Sequence, residues 1–263
     1  MTTPEFQVAE DAARLGGAIV ARYFREGVTM RSKDVGNLVS DADVEAERAI
    51  IAEIRRAFPG HAVLAEEEHS GDAAGAEHLW VIDPLDGTNN FAHKIPHIAV
   101  SIAYYHKGEP SCGIVYNPLD DTWYTAIRGQ GARHNGKLVR VGEEDRLEDI
   151  VVGTGFGYDR GALMEATLAS IADLSRHGIH GVRRFGAAAL DLCWVGTGIF
   201  GAFYEYTLQP WDFAAGRLFV EEAGGRVTTC QNKSLPMAPS SILATNGLVH
   251  EAMHDVLRIH WPD

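Results

Sequence analysis

The chain has 263 residues, 46% of them hydrophobic and 22% charged, which is the usage of an ordinary folded domain and does not indicate disorder. Its formal net charge of −13 argues against a nucleic-acid partner, because binding a phosphate backbone depends on lysines and arginines that displace counterions. The same charge repels any anionic substrate unless bound cations reverse the field locally.

The opening stretch sets Glu5, Glu10 and Asp11 ahead of any apolar run, unlike a secretory signal. No run approaches the roughly 18 apolar residues of a membrane span, so no membrane association is expected and the cytoplasm is the expected compartment. Cys112, Cys193 and Cys230 are odd in number and widely spaced, which supports neither a disulfide framework nor a zinc site.

From residue 4 to 26, Val8, Ala12, Leu15, Ile19 and Tyr23 recur at helical spacing, with Gly27 just past the end. A second helix begins near Ser40 or Asp41, either of which can cap it; it carries Val44, Ile51, Ile54 and Phe58 and stops at Pro59-Gly60. Two short apolar runs, 62–65 and 79–82, read as strands that deliver carboxylates at their ends. A meander follows at 98–105, 112–116 and 122–127, turned at Lys107-Gly108 and Asn117-Pro118, and Asn135-Gly136 marks a tight hairpin. Beyond the charged stretch 143–148, strand-like runs at 150–154, 200–204, 226–229 and 242–245 alternate with helix candidates at 161–177, 187–197, 211–223 and 247–258. The expected organisation is an α+β lobe over residues 1–146 with an antiparallel sheet, and an α/β lobe over 147–263 sharing one interface with it.

The segment Asp83-Pro84-Leu85-Asp86-Gly87-Thr88-Asn89-Asn90-Phe91 leaves the 79–82 strand. Proline fixes φ between two aspartates that can face one ion, and Gly87 permits a close backbone approach. A helix begun just after it would offer free N–H groups to a phosphate, with the Thr88 hydroxyl beside them. The same residues also suit a surface turn, and both readings stand on this segment alone. Glu66, Glu67 and Glu68 end the preceding strand; Glu66, nearest the apolar run, is the candidate for facing inward, and the other two suit a solvated face. Far downstream, Trp211-Asp212-Phe213-Ala214-Ala215-Gly216 sets an aspartate between two aromatics at a helix start, where it serves equally as an N-cap.

These segments resemble the inositol monophosphatase family, within the larger class of lithium-sensitive, Mg2+-dependent sugar phosphatases. The likeness covers 83–91 and 211–216, and also A-E-E at 65–67, K-D-V-G-N-L-V-S-D-A-D at 33–43, T-G-F-G-Y-D-R at 154–160, R-F-G-A-A-A-L-D at 184–191 and E-A-G-G at 222–225. It implies a layered αβαβα sandwich, with most metal ligands in the first lobe and Asp212 and substrate contacts from the second.

By that resemblance Glu66, Asp83, Asp86, Asp212 and the Leu85 carbonyl would hold two or three Mg2+, which suit hard oxygen ligands. The metals would also offset the repulsion between four carboxylates and a phosphate dianion. The attacking water would be positioned by Glu66 and Thr88, with Thr88 paired to Asp43, and Lys33 would lie near the metals. The substrate would be contacted by Asp86, Gly87, Thr88, Gly186, Ala188 and Glu205. A small phosphate monoester, most of all inositol monophosphate, is the implied substrate, and a homodimer the implied assembly.

Three positions depart from the family pattern: Asn37 stands where many members carry an acid, Gln209 where bacterial members often carry a base, and Gly157 where proline is common. The same chemistry on histidinol phosphate, fructose 1,6-bisphosphate or a 3'-phosphoadenosine nucleotide is an alternative. A catalytically silent regulatory protein and a two-metal nuclease are alternatives of other classes, the latter opposed by the net charge and the absence of a basic stripe.

Overall fold

The computed structural model describes residues 3–34, 37–67, 73–157 and 160–261, without the side chains of 32–34, 37–39 and 74. Thr3 caps the first helix, its Oγ1 accepting from Phe6 N at 3.2 Å, and Pro4 sits in the first turn, where a missing N–H costs nothing. That helix, α1 (Pro4–Glu26), buries Ala9, Ala12, Ala13, Gly16, Gly17 and Val20, whereas Leu15 is 47% exposed. The buried face is therefore offset from the expected stripe of large residues. Small residues let the neighbouring helix come close: a Cβ on Gly16 would lie 2.6 Å from Ile50 Cδ1.

A short hairpin, β1 (Arg31–Asp34) and β2 (Asn37–Val39), precedes α2 (Asp41–Ala57) and has no counterpart in the sequence reading. Ser40 is the cap of α2: its hydroxyl accepts from Ala42 N at 3.1 Å, and its own N–H donates to Asp43 at 2.8 Å. Then come β3 (Ala62–Ala65), β4 (His78–Asp86), the five-residue α3 (Thr88–Ala92), β5 (Ala99–His106), β6 (Glu109–Asn117), β7 (Thr122–Ile127), β8 (Ala132–His134) and β9 (Lys137–Val139). Asn135 and Gly136, both at positive φ, make the β8–β9 turn. These strands form one seven-stranded sheet in the order β3 to β9. It is antiparallel except at its edge, where β3 runs parallel to β4.

The rest of the chain supplies β10 (Val151–Thr154), α4 (Ala162–Arg176), β11 (Gly181–Arg183), α5 (Ala188–Gly196), β12 (Ala202–Leu208), α6 (Pro210–Glu222), β13 (Arg226–Thr228), β14 (Ser240–Thr245) and α7 (His250–Leu257). Its five-stranded sheet has the order β11-β10-β12-β14-β13, parallel around β10 and antiparallel around β14. The edge strand β11 is too short and too poor in apolar residues to have been expected.

Alternation along the strands builds the layers. In β4, Trp80 and Ile82 pack with Ala12, Ile50 and Ile54 of α1 and α2, while Leu79 and Val81 face Leu190, Ala214 and Leu218 of α5 and α6. In the second sheet, Phe203, Ile242 and Ala244 meet Leu192 and Phe213 of the same two helices, and Val152, Tyr204 and Leu243 meet Leu174 of α4 and Met253 of α7. The order is helices, sheet, helices, sheet, helices: a layered αβαβα sandwich. The central pair packs tightly, since a Cβ on Gly216 would lie 2.7 Å from Leu192. The three cysteines are buried free thiols.

Candidate active site

A cavity of about 500 Å3 lies where the C-terminal end of β4 meets the beginnings of α3, α5 and α6. β3 pairs with β4 only as far as Ile82, so the strand beyond is bonded on one side alone. The β4–β5 register shifts between Asp83 and Asp86, where Pro84, lacking an N–H, breaks the ladder. This irregularity places two aspartates from one strand at one wall, 2% and 8% exposed. Asp83 Oδ1 accepts from Leu85 N at 2.9 Å. Asp86 Oδ2 accepts from Ala189 N, in the first turn of α5, at 2.7 Å.

Asp212 is residue N3 of α6, not its cap: Gln209 is the cap, and its N–H donates to Asp212 Oδ2 at 2.7 Å. That bond holds the carboxyl at the cavity and leaves Oδ1 for another partner. Glu66 and Glu67 line the same cavity, so Glu67 differs from the solvated position expected for it; its N–H donates to the fully buried Glu47 at 2.8 Å. Glu68 lies outside the described residues, as do the side chains of Lys33 and Asn37.

Burial, then the charges of Glu66, Asp86 and Asp212, push the Asp83 carboxyl well above the usual carboxylate range. Burial raises Asp86 to about 7, and burial followed by the Asp86 charge lifts Asp212 well up. Among the described residues no lysine or arginine forms an ion pair with any of the three. The donor set is hard oxygen, carries an excess of negative charge and is largely shielded from water, which fits a divalent cation of the Mg2+ type.

Each of these carboxyls keeps its proton to a higher pH in the fold than in the unfolded chain. Their contribution to stability is therefore complete below the unfolded value, roughly 4, and is lost as pH rises through the folded value. The metal-free protein is accordingly expected to melt at a lower temperature at about pH 8 than at about pH 5.5, with Mg2+ restoring the loss at the higher pH. Thermal melts in EDTA and in Mg2+ check this; a melting temperature in EDTA that stays flat or rises with pH would contradict it.

Thr88 opens α3 behind Gly87, whose φ of 91° is left-handed and whose missing Cβ leaves room for the His97 carbonyl. Thr88 Oγ1 lies 3.2 Å from Asp43 Oδ1 and 3.1 Å from the Leu85 carbonyl, so its proton is directed to those acceptors. Asp43 in turn accepts from the Ser40 hydroxyl at 2.7 Å, and burial raises its carboxyl above the ordinary range. Asp43 thus stands behind Thr88 and does not itself line the cavity.

The lining is completed by Gly155, Phe156 and Gly157 after β10, by Glu205 and Thr207 of β12, and by Gly186 and Ala188 at the start of α5, which lie beside Gly87 and Asp86. Glu205 is 7% exposed, and burial, then the Asp212 charge, pushes its carboxyl well up. A Cβ at Gly155 would lie 1.9 Å from Glu205 Oε2, so glycine there makes space for the carboxylate. Glu66, Asp83, Leu85, Asp86, Gly87, Thr88, Gly186, Ala188, Glu205 and Asp212 therefore share one cavity.

Arg184 and Asp191 also line the cavity but carry no role in the sequence reading. Burial raises the Asp191 carboxyl, opposed by His97, whose Nε2 lies 3.1 Å from Asp191 Oδ1, and then by the exposed Arg184 guanidinium, which also favours the ionised form of Glu205. Asp191 and Glu47 carry a sequence signal: Glu47 falls one turn after Asp43 on the same helix face, and Asp191 interrupts the otherwise apolar helical run 187–195.

The model of the inositol monophosphatase family matches residues 2–261. Nus factor SuhB of Pseudomonas aeruginosa is 38% identical over 98% of this chain and 97% of its own length. Inositol-1-monophosphatase of Rhizobium meliloti is 38% identical over 92% of this chain and 91% of its own. The solved structure of extragenic suppressor protein suhB from Bartonella henselae superposes with a TM-score of 0.91 at 36% identity, over 97% of this chain and 99% of that one.

Proposed function

The chain belongs to the inositol monophosphatase family, and from that premise we propose that it hydrolyses a small, hydroxyl-bearing phosphate monoester, inositol monophosphate first among candidates, in a Mg2+-dependent reaction. The observation that carries the proposal is the convergence of Glu66, Asp83, Asp86 and Asp212 on one cavity whose other wall holds Glu205. Those four carboxylates and the Leu85 carbonyl would hold two or three Mg2+. When bound, the ions supply a water of lowered pKa and charge neutralisation for phosphate and leaving group.

The chain's own residues do the positioning. The Thr88 proton points to Asp43 and Leu85, so its lone pairs can accept from the attacking water, with Glu66 as a second acceptor. The first turns of α3, α5 and α6 place backbone N–H groups and positive dipole ends at the cavity, favourable for phosphate. Asp86, Gly87, Gly186 and Ala188 form the surface a ring lies on, and Glu205 accepts hydrogen bonds from its hydroxyls. A phosphate-release screen in Mg2+ and in EDTA over inositol monophosphates, histidinol phosphate, fructose 1,6-bisphosphate and 3'-phosphoadenosine nucleotides tests the reading. Inhibition by Li+ and by Ca2+, which prefers more ligands at longer distances, belongs to it. So do a homodimer and the division of the chain into lobes 1–146 and 147–263.

Glu205 and Asp212 divide the work. Glu205→Gln is expected to cost about ten- to hundredfold in kcat/KM on inositol phosphate, the equivalent of one hydrogen bond to a charged group. Its effect should be smaller on an aryl phosphate lacking ring hydroxyls, and Mg2+ affinity by calorimetry should be unchanged, whereas Asp212→Asn lowers both Mg2+ affinity and kcat. Equal losses on both substrates, or loss of Mg2+ binding in Glu205→Gln, would remove the assignment.

A second reading draws on the relatives named Nus factor SuhB: the chain serves as a Nus factor independently of catalysis. An Asp83→Asn protein that fully sustains the cellular role without releasing phosphate would favour it.

A further inference from the structure

The end of β4 remote from Asp83 and Asp86 carries a second group of ligating side chains. His61 precedes β3, His78 opens β4 and His106 closes β5. Strand register pairs His78 with His106, and the parallel ladder that sets Ala62 opposite Leu79 puts His61 beside His78. The rings stack accordingly. Centroids of His61 and His78 are 4.3 Å apart with planes 4° from parallel, and His78 and His106 follow at 4.9 Å and 13°.

Hydrogen bonds sort the ring nitrogens. The Trp80 indole can only donate, so His61 Nδ1 accepts from it at 3.1 Å and does not ligate. His78 Nδ1 lies 2.6 Å from the Tyr104 hydroxyl, which leaves Nε2 as its ligating atom. Glu77 Oε1 is 3.7 Å from His106 Nε2. One ligand atom each from Glu77, His78 and His106 lies within 4.8 Å of the others.

We propose that Glu77, His78 and His106 form a distal site for a divalent transition metal of the zinc and nickel class, separate from the hard-oxygen cavity. Two imidazoles and a carboxylate with positions left for water suit such ions, whereas Mg2+ takes oxygen donors almost throughout. The Tyr104 hydroxyl fits the outer hydrogen bond that fixes a ligating histidine in tautomer and orientation. His106 and Glu77 have side chains 47% and 60% exposed, so the site is open to ions from solvent and the His106 ring has room to turn out of its stack on His78, which it must do because parallel rings do not aim their in-plane lone pairs at one ion. Lys107 Nζ, 3.4 Å from Glu77, must swing away; both partners are exposed, and giving up such a pair costs little.

The test is calorimetric titration of the full chain with Ni2+ in saturating Mg2+, with the part of the tryptophan quenching that Trp80→Phe removes as a local reporter. Wild type and Asp83→Asn are expected to bind one Ni2+ with the same affinity and to show quenching. His106→Gln, at an exposed position where the fold tolerates change, should weaken binding by about tenfold or more, remove the quenching and leave Mg2+-dependent phosphate release intact. Glu77→Gln should weaken binding as well. Ni2+ affinity unaltered in both His106→Gln and Glu77→Gln, or binding lost in Asp83→Asn instead, overturns the proposal.

Discussion

Asp83→Asn is expected to reduce phosphate release to background while leaving the protein folded. Asn keeps the volume of the side chain and the oxygen that accepts from Leu85 N at 2.9 Å, so the turn into Asp86 survives. What disappears is a charge that burial and three neighbouring carboxyls already hold at a cost. The variant should therefore melt higher than wild type in EDTA at about pH 8, yet gain less from added Mg2+, because its site has lost a charged ligand. Three measurements check this: phosphate release, Mg2+ titration and melts with and without chelator. Robust turnover by the variant, or full wild-type activity in EDTA, would sink the metal-dependent reading. A lower melting temperature in EDTA would show that Asp83 has a structural role instead.

The second large effect belongs to Thr88. Thr88→Ala is expected to lower kcat by about a hundredfold or more with KM nearly unchanged, as for a lost proton-transfer partner, and Thr88→Ser to keep most of the activity. Among the described residues the hydroxyl bonds Asp43 and the Leu85 carbonyl, at 3.2 and 3.1 Å, and Ser keeps that hydroxyl. If the hydroxyl served only to secure the start of α3, Ala would cost about 1 kcal/mol of stability and leave kcat alone. Steady-state kinetics beside thermal melts separates the two; a normal kcat in the Ala variant returns Thr88 to a structural role.

Much of this site was legible because its residues sit in short runs with a local logic. Asp83-Pro84-Leu85-Asp86-Gly87 announces a strand that ends in acids and a turn, and the chain folds it that way. Three glutamates in a row suggest a solvated face, whereas Glu67 lines the cavity beside Glu66, its N–H bonded to Glu47 20 residues earlier in the chain. Large apolar residues at helical spacing place Leu15 in the expected buried stripe of α1. Close helix packing selects the alanines and glycines instead, and leaves Leu15 outside. Arg184 and the His97–Asp191 pair could not be placed from spacing, since His97 and Asp191 are 94 residues apart and meet only when α5 docks on the first sheet. Strand β1, Arg-Ser-Lys-Asp, has no apolar residue, and β2 and β11 are three residues long, so no strand periodicity registers in them.

The bond from Asp86 to Ala189 N joins residues 103 positions apart, and Asp212 comes later still. A nascent or half-collapsed chain thus holds only a fragment of the ion-binding set, and the remainder arrives with the central helix pair, which must close against both sheets. Contacts so distant along the chain form late in folding, after most of the loop entropy has been spent. Ions bound there as proposed are expected to act on an assembly already made, slowing its opening more than they hasten its formation, so that their benefit is endurance of the native state and not speed in reaching it.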